Sequence, residues 1–165
     1  LLCSLGQNVM ITNFQQYFKL VEYFSEFTKE RMGIAMGVYN LIQIFDEKYY
    51  RNLSGGILEA FGKLFYRDLK VYMYPYHDQN SDTLINSENL KVHPRVKELY
   101  KFFKNNGKLV NIDDFDPEIL DIFSRTVLKM IRDGENGWEA MLPKGIPEII
   151  KQKRLFGYSK ARENK

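Results

Sequence analysis

Met32-Gly33-Ile34-Ala35-Met36-Gly37-Val38 is a continuous apolar run directly after the charged turn Lys29-Glu30-Arg31. Runs of this kind suit a parallel strand buried on both faces. Upstream, Phe14, Tyr17, Phe18, Val21, Phe24 and Phe27 recur at helical spacing, with Thr12 or Asn13 as a cap. Before them, Val9-Met10-Ile11-Thr12 reads as a short buried strand. Downstream, the spacing predicts a helix over Tyr39 to Tyr50 and another over about Ile57 to Tyr66. Leu69-Lys70-Val71-Tyr72-Met73-Tyr74-Pro75 then reads as a strand, its end placed near an edge by Pro75.

The order is strand, helix, strand, two helices, strand. Each crossover is long enough for a right-handed parallel connection. The expectation is a three-layer, Rossmann-like α/β core with a short parallel sheet of about three strands. Tyr76 to His93 is polar and reads as a long surface loop, a feature that is often functional. The remainder reads as helical. Pro94 opens one helix and Asn105-Asn106-Gly107 stops it. Asp116-Pro117-Glu118 is a strong start signal for the next, which Gly134 ends. Gly137-Trp138 opens a short amphipathic stretch, and Pro143 and Pro147 bracket a final helix. The organisation expected is a parallel α/β core over 1–93 and a helical C-terminal extension over 94–165, packed as one domain.

At 165 residues with 44% apolar content, the chain can bury one core. A net charge of +3 is too small to argue for nucleic acid. Its basic surplus sits largely in Lys151, Lys153, Arg154, Lys160, Arg162 and Lys165, a solvated tail on the simplest reading. The lone Cys3 excludes an internal disulfide and fits a reducing compartment. No apolar run approaches the roughly 20 residues needed to span a bilayer. A cytoplasmic protein with no membrane partner is expected. The chain begins at Leu1 and reads as a piece of a longer protein, whose N-terminal part is an expected partner.

The best candidate for a ligand site is Asn52-Leu53-Ser54-Gly55-Gly56-Ile57-Leu58-Glu59. Backbone amides at a helix start can hold an anion, and glycine lets a phosphate come close. Ser54, Gly55 and Gly56 would supply the donors. The alternative is a capped helix, with Asn52 or Ser54 as cap and Gly62 as a close-packing contact. The segment is neither a dinucleotide fingerprint nor a Walker loop. A second candidate is the rim formed by the carboxyl ends of the strands, where open parallel sheets bind ligands. Asn13, Gly37, Asn40, His77 and Asp78 fall there. Asn13 and Asn40 suit a base, sugar or amide, and His77 suits acid–base work or phosphate. The alternative is that these are caps and loop polars. Tyr72, Tyr74 and Tyr76 share a face at strand spacing and either frame a planar ligand or cover packed helices.

No catalytic residue is assigned. His77, Asp78, Asp82, Glu88 and His93 show no recognised metal spacing, so no metal is expected, and the sequence assigns no cofactor in either direction. No serine sits in a nucleophile elbow.

Several segments together carry a family resemblance. They are Val9 to Phe14, Gly55 to Phe65 with Val71 to Pro75, and Asp116 to Leu120, joined by Gly137-Trp138-Glu139-Ala140-Met141-Leu142-Pro143 and Leu155-Phe156-Gly157-Tyr158. The set resembles the C-terminal part of a family of large bacterial cytosolic proteins described as nicotinate-mononucleotide adenylyltransferase-like. The resemblance implies a nucleotide or phosphorylated metabolite as ligand. The H-x-G-H motif of the usual α/β nucleotidyltransferases is absent, since the histidines stand in Tyr76-His77-Asp78 and Val92-His93-Pro94. The expectation is therefore the C-terminal portion of a cytosolic enzyme. The alternative is a non-catalytic scaffold or homo-oligomerisation domain.

Overall fold

A computed structural model describes residues 2–78 and 80–159. The tail charges Lys160, Arg162 and Lys165 lie outside the described residues. The chain divides into two compact units, residues 12–115 and residues 1–11 with 116–165.

The larger unit is a mixed α/β unit. Its elements are α1 (Tyr17–Phe27), β1 (Gly33–Gly37), α2 (Val38–Ile44), α3 (Gly56–Leu64), β2 (Lys70–Tyr74), β3 (Tyr76–Asp78), β4 (Thr83–Ile85), α4 (Lys97–Asn105) and β5 (Leu109–Asn111). Among the described residues the main sheet is three-stranded and parallel, in the order β1-β2-β5. The register pairs Gly33 with Lys70 through Gly37 with Tyr74, and Val71 with Leu109 through Met73 with Asn111.

The α/β class and the short parallel sheet stand as expected, but the choice of strands is corrected. Val9-Met10-Ile11-Thr12 is not a strand: Val9 and Met10 are about half exposed, and Ile11 is 95% exposed. Its β-forming composition finds no ladder partner, and β propensity counts for little without one. The third strand is Leu109–Asn111, inside a stretch read as helical. The helix stop at Gly107 works as expected, with φ at +66°. The chain then turns straight into the ladder, where the Val71 amide donates to the Lys108 carbonyl at 2.8 Å.

Continuous burial of the run 32–38 does not hold either. Burial alternates along β1 and β2. Met36, Val71, Met73 and Leu109 point into one core with Phe18, Val21, Leu41, Phe61, Leu64 and Tyr100 from the helices. Each such side chain contributes about 1.5–3 kcal/mol by leaving water. The opposite face carries Gly33, Ala35, Gly37 and Tyr72, all exposed. The Tyr72 ring lies across Gly33, where an added Cβ would stand 2.7 Å from Cε2. The strands follow one another in space, so the order never reverses to create a switch-point crevice.

Local signals act as their chemistry demands. Asp46 caps the turn Glu47–Tyr50 by accepting from the Lys48 amide, and the Tyr50 hydroxyl donates to the Ile44 carbonyl at 2.7 Å. That bond satisfies one of the orphan carbonyls at the end of α2. The expected caps of α1 are absent: its N-cap is Gln16, without a side-chain bond. Thr12 instead accepts from the Phe14 amide at 3.2 Å. The stretch read as a surface loop contains the antiparallel hairpin β3–β4. Beyond it, buried Ser87 is pinned on both sides. Its amide donates to Asn111 Oδ1 at 2.9 Å, and its carbonyl accepts from the Tyr100 hydroxyl at 2.8 Å.

The smaller unit contains α5 (Ser124–Asp133) and α6 (Ile146–Lys153). Asp116 caps as expected, accepting from the Glu118 amide at 2.9 Å, but only for the short turn Pro117–Ile119. The helix proper starts at Ser124 and stops at Gly134, which is left-handed. Val127, Ile131, Trp138, Ile146, Ile150 and Tyr158 form its core. Lys151 pairs with Glu139 at 2.6 Å and lies 5.5 Å from the Trp138 ring centroid. The Lys151 ammonium holds the Glu139 carboxyl below its ordinary pKa.

Candidate functional site at the sheet rim

β1 and β2 end together, at the register pair Gly37 and Tyr74. From β1 the chain enters α2 at once, with Gly37 as an extended N-cap, so Tyr39 and Asn40 occupy the first turn. From β2, Pro75 has no amide to continue a ladder, and the chain leaves as the hairpin β3–β4. Tyr76, His77 and Asp78 are therefore carried just past the strand end. Four of the residues singled out from sequence, Gly37, Asn40, His77 and Asp78, thus lie on the elements that leave β1 and β2.

The rim holds a groove of about 460 Å³ lined by Tyr39, Ile42, Tyr76, Asp78, Thr83 and Lys91 among others. The Tyr39 and Tyr76 rings stand 5.3 Å apart at a 47° tilt. Hydrogen bonding to Tyr39 pushes the Tyr76 hydroxyl pKa well up, with desolvation and Asp78 adding to it. The Asp78 carboxylate accepts from Ser81 Oγ at 2.7 Å and from the Asn80 amide at 3.3 Å. The Ser81 bond leads in holding its pKa below the ordinary value. A phenol and an ionised carboxylate therefore meet in one concave site at neutral pH. His77 Nε2 is 2.9 Å from Asp82 Oδ1.

Asn13 is exposed in the extended segment ahead of α1. Asp78 lines the rim groove, whereas Asn13, Gly37, Asn40, Ser54, Gly55, Gly56 and His77 do not. At the glycine pair, neither Asn52 nor Ser54 caps the helix, since the N-cap Gly55 carries no side-chain bond. The Gly55 amide donates to Glu59 Oε2 at 3.0 Å, and the Gly56 amide donates to the Leu53 carbonyl at 3.0 Å. Glu59 is held in turn by Lys63 at 3.2 Å. The turn already holds an anion, supplied by its own helix. Gly62 is not a close-packing contact: it is exposed, and an added Cβ would meet nothing within 4 Å.

The pairing of Tyr39 with Tyr76 and the contribution of Lys91 escape sequence reasoning. Tyr39 stands two residues past the end of β1 and Tyr76 two past the end of β2. That symmetry becomes a signal only once the two strands are known to be paired and in register. Of the tyrosines expected on one face, Tyr72 and Tyr74 share it, while Tyr76 has turned away into β3. The Tyr74 ring meets Phe115 at 6.3 Å. Among the described residues, no three His, Cys, Asp or Glu side chains are grouped to hold a metal ion, and no helix is long and apolar enough to cross a membrane.

No protein-family model, curated protein or solved structure matches this chain.

Proposed function

We propose that the sheet unit binds a nucleotide or a phosphorylated metabolite, as the ligand-binding portion of a larger cytosolic enzyme. The observation that carries this reading is the Tyr39–Tyr76 pair walling a groove of about 460 Å³ at the carboxyl ends of β1 and β2. The volume falls within the range that small-molecule sites occupy, and such sites are lined by aromatics with a few polar groups. Tyrosine rings offer a face to a planar base, Asp78 accepts from hydroxyl or amino groups, and Lys91 offers a cation to a phosphate. The resemblance to the nicotinate-mononucleotide adenylyltransferase-like family makes nicotinate mononucleotide and ATP the first probes.

Thermal-shift titration with both nucleotides tests the reading. Binding to the native state raises the melting temperature by mass action. Tyr39→Ala removes one aromatic wall, an interaction of about 0.5–1.5 kcal/mol, and is expected to weaken binding by several-fold. Asp78→Asn weakens it as well. No shift at millimolar nucleotide, or equal shifts in wild type and both variants, would sink the proposal.

A second reading, a non-catalytic scaffold or oligomerisation domain, is favoured by the exposed sheet face of Gly33, Ala35, Gly37 and Tyr72. Light scattering on the eluted chain at high concentration decides it for self-association. A clean monomer counts against it.

A further inference from the structure

We propose that a second groove of the sheet unit, between the turns Glu47–Tyr50 and Pro94–Val96, is a subsite for a pyrophosphate or phosphate-ester group. The groove measures about 510 Å³, and buried Phe45 and Val96 contribute apolar surface to it. Its charged lining is Asp46, Glu47, Lys48, Arg51 and Arg95, with His93 beside them.

The charges do not cancel. Asp46 and Lys48 neutralise each other as an ion pair. Arg51 adds to the positive field on Asp46, and neither the Arg51 nor the Arg95 guanidinium has an ion-pair partner among the described residues. Two unpaired guanidiniums from separate elements line one concavity. Their planar forks match the geometry of a phosphate, which accepts two parallel N–H bonds from each. His93 adds a donor. Its Nδ1 accepts from the Arg95 amide at 3.3 Å, which leaves the ring proton on Nε2.

The surrounding field has the same sign. An adjoining groove of about 470 Å³ shares Val92 with the first and is lined by Lys91, Lys97, Lys101 and Lys104. Lys101 and Lys104 are paired to Glu98 and Glu88, while Lys91 and Lys97 have no ion-pair partner among the described residues. Both linings also carry acids, Asp46 and Glu47 in the first and Glu88 in the second, but the cations outnumber them, and a surplus of one sign attracts the opposite ion. The arginine groove also shares Ile42 with the tyrosine groove. The two sites therefore flank one short helix, α2, about 10 Å long at the usual helical rise.

The phosphate subsite does not depend on the tyrosine groove, because inorganic pyrophosphate alone probes it. Calorimetric titration of the intact chain with pyrophosphate, at ionic strength fixed with sodium chloride, is expected to give saturable binding. Arg51→Gln and Arg95→Gln each weaken it by about tenfold or more, as loss of a charge-assisted bond does. Arg95→Lys restores the charge but not the fork, and recovers binding only in part. Pyrophosphate carries no base or sugar, so a loss of its binding in the arginine variants and a loss of nucleotide binding in the tyrosine groove are read separately. Both arginines are exposed, and circular dichroism confirms the fold of each variant. The inference is overturned by the absence of saturable heat, by equal binding of sulfate, or by arginine variants that bind like wild type.

Discussion

The Gly55 amide donates to the carboxylate of Glu59 at 3.0 Å, so the start of α3 carries its own anion. The same geometry explains why position 55 is glycine. A Cβ there would stand 2.9 Å from Cβ of Glu59 and push the carboxylate off the amide. A helix N-terminus favours negative charge, and here the charge is intramolecular.

The bond makes Glu59 a reporter of acid stability. Hydrogen bonding to Gly55 and then to Lys63 lowers its pKa in the folded state below the usual 4.5. A carboxyl depressed in this way stabilises the fold fully above its unfolded value. That contribution fades as pH falls through the folded value. Glu59→Gln is therefore expected to flatten the acid limb of the stability profile below about pH 5. Urea melts of wild type and variant across that range measure it, and superimposable slopes contradict it.

Two glycines of one helix are expected to respond in opposite directions. Gly62 is exposed in the interior of α3 with nothing within 4 Å of an added Cβ. Gly62→Ala should raise stability by about 0.5–1 kcal/mol. Gly56 has φ at +55°, where a side chain is strained. Gly56→Ala should lower stability by about 1–2 kcal/mol. Paired thermal melts test the contrast, and a shift of the same sign in both rejects it.

Ser87 is expected to be a stability centre despite its small side chain. It is 2% exposed, and both its backbone groups bond to distant side chains. Tyr100→Phe removes the donor to its carbonyl and should cost about 1–2 kcal/mol. Asn111→Leu strands its buried amide and should cost about 1–3 kcal/mol. Chemical denaturation reads both, and a neutral Asn111→Leu would show that the amide finds another acceptor.

The smaller unit has a built-in optical probe, since Trp138 is the only tryptophan and is 2% exposed. Ile131→Ala opens a cavity in the same core and should cost about 2–5 kcal/mol. The transition from blue to red emission should move to lower urea accordingly. An unmoved midpoint would mean that the core closes around the deletion.

Much of the local architecture was legible because it rests on chemistry within a few residues. Asp116 as a cap and the stops at Gly107 and Gly134 are legible in the sequence, while the cap at Asp46 is a finding of the structure. The strands at 33–37 and 70–74 follow from their apolar runs. Of the residues assigned to the candidate ligand sites from sequence, only Asp78 lines the rim groove. Tyr39 as a partner for Tyr76 was not legible, because only the register between β1 and β2 aligns the two ends. Glu59 as the occupant of the Gly55 amide was within reach of sequence, four residues on along the same helix.

The segments Val9–Thr12 and Leu109–Asn111 mark where sequence stops deciding. The first has the composition of a strand and remains unpaired; the second is three residues long and becomes a strand by bonding to β2. Sequence by itself determined the helix stops at Gly107 and Gly134 and two of the three strands, because those depend on groups close together in the chain; the caps of α1 and α3 and the start of α5 were not among them. The tertiary structure alone decided the third strand and the meeting of Tyr39 with Tyr76. Those depend on ladder partners and register, which join residues far apart in the chain.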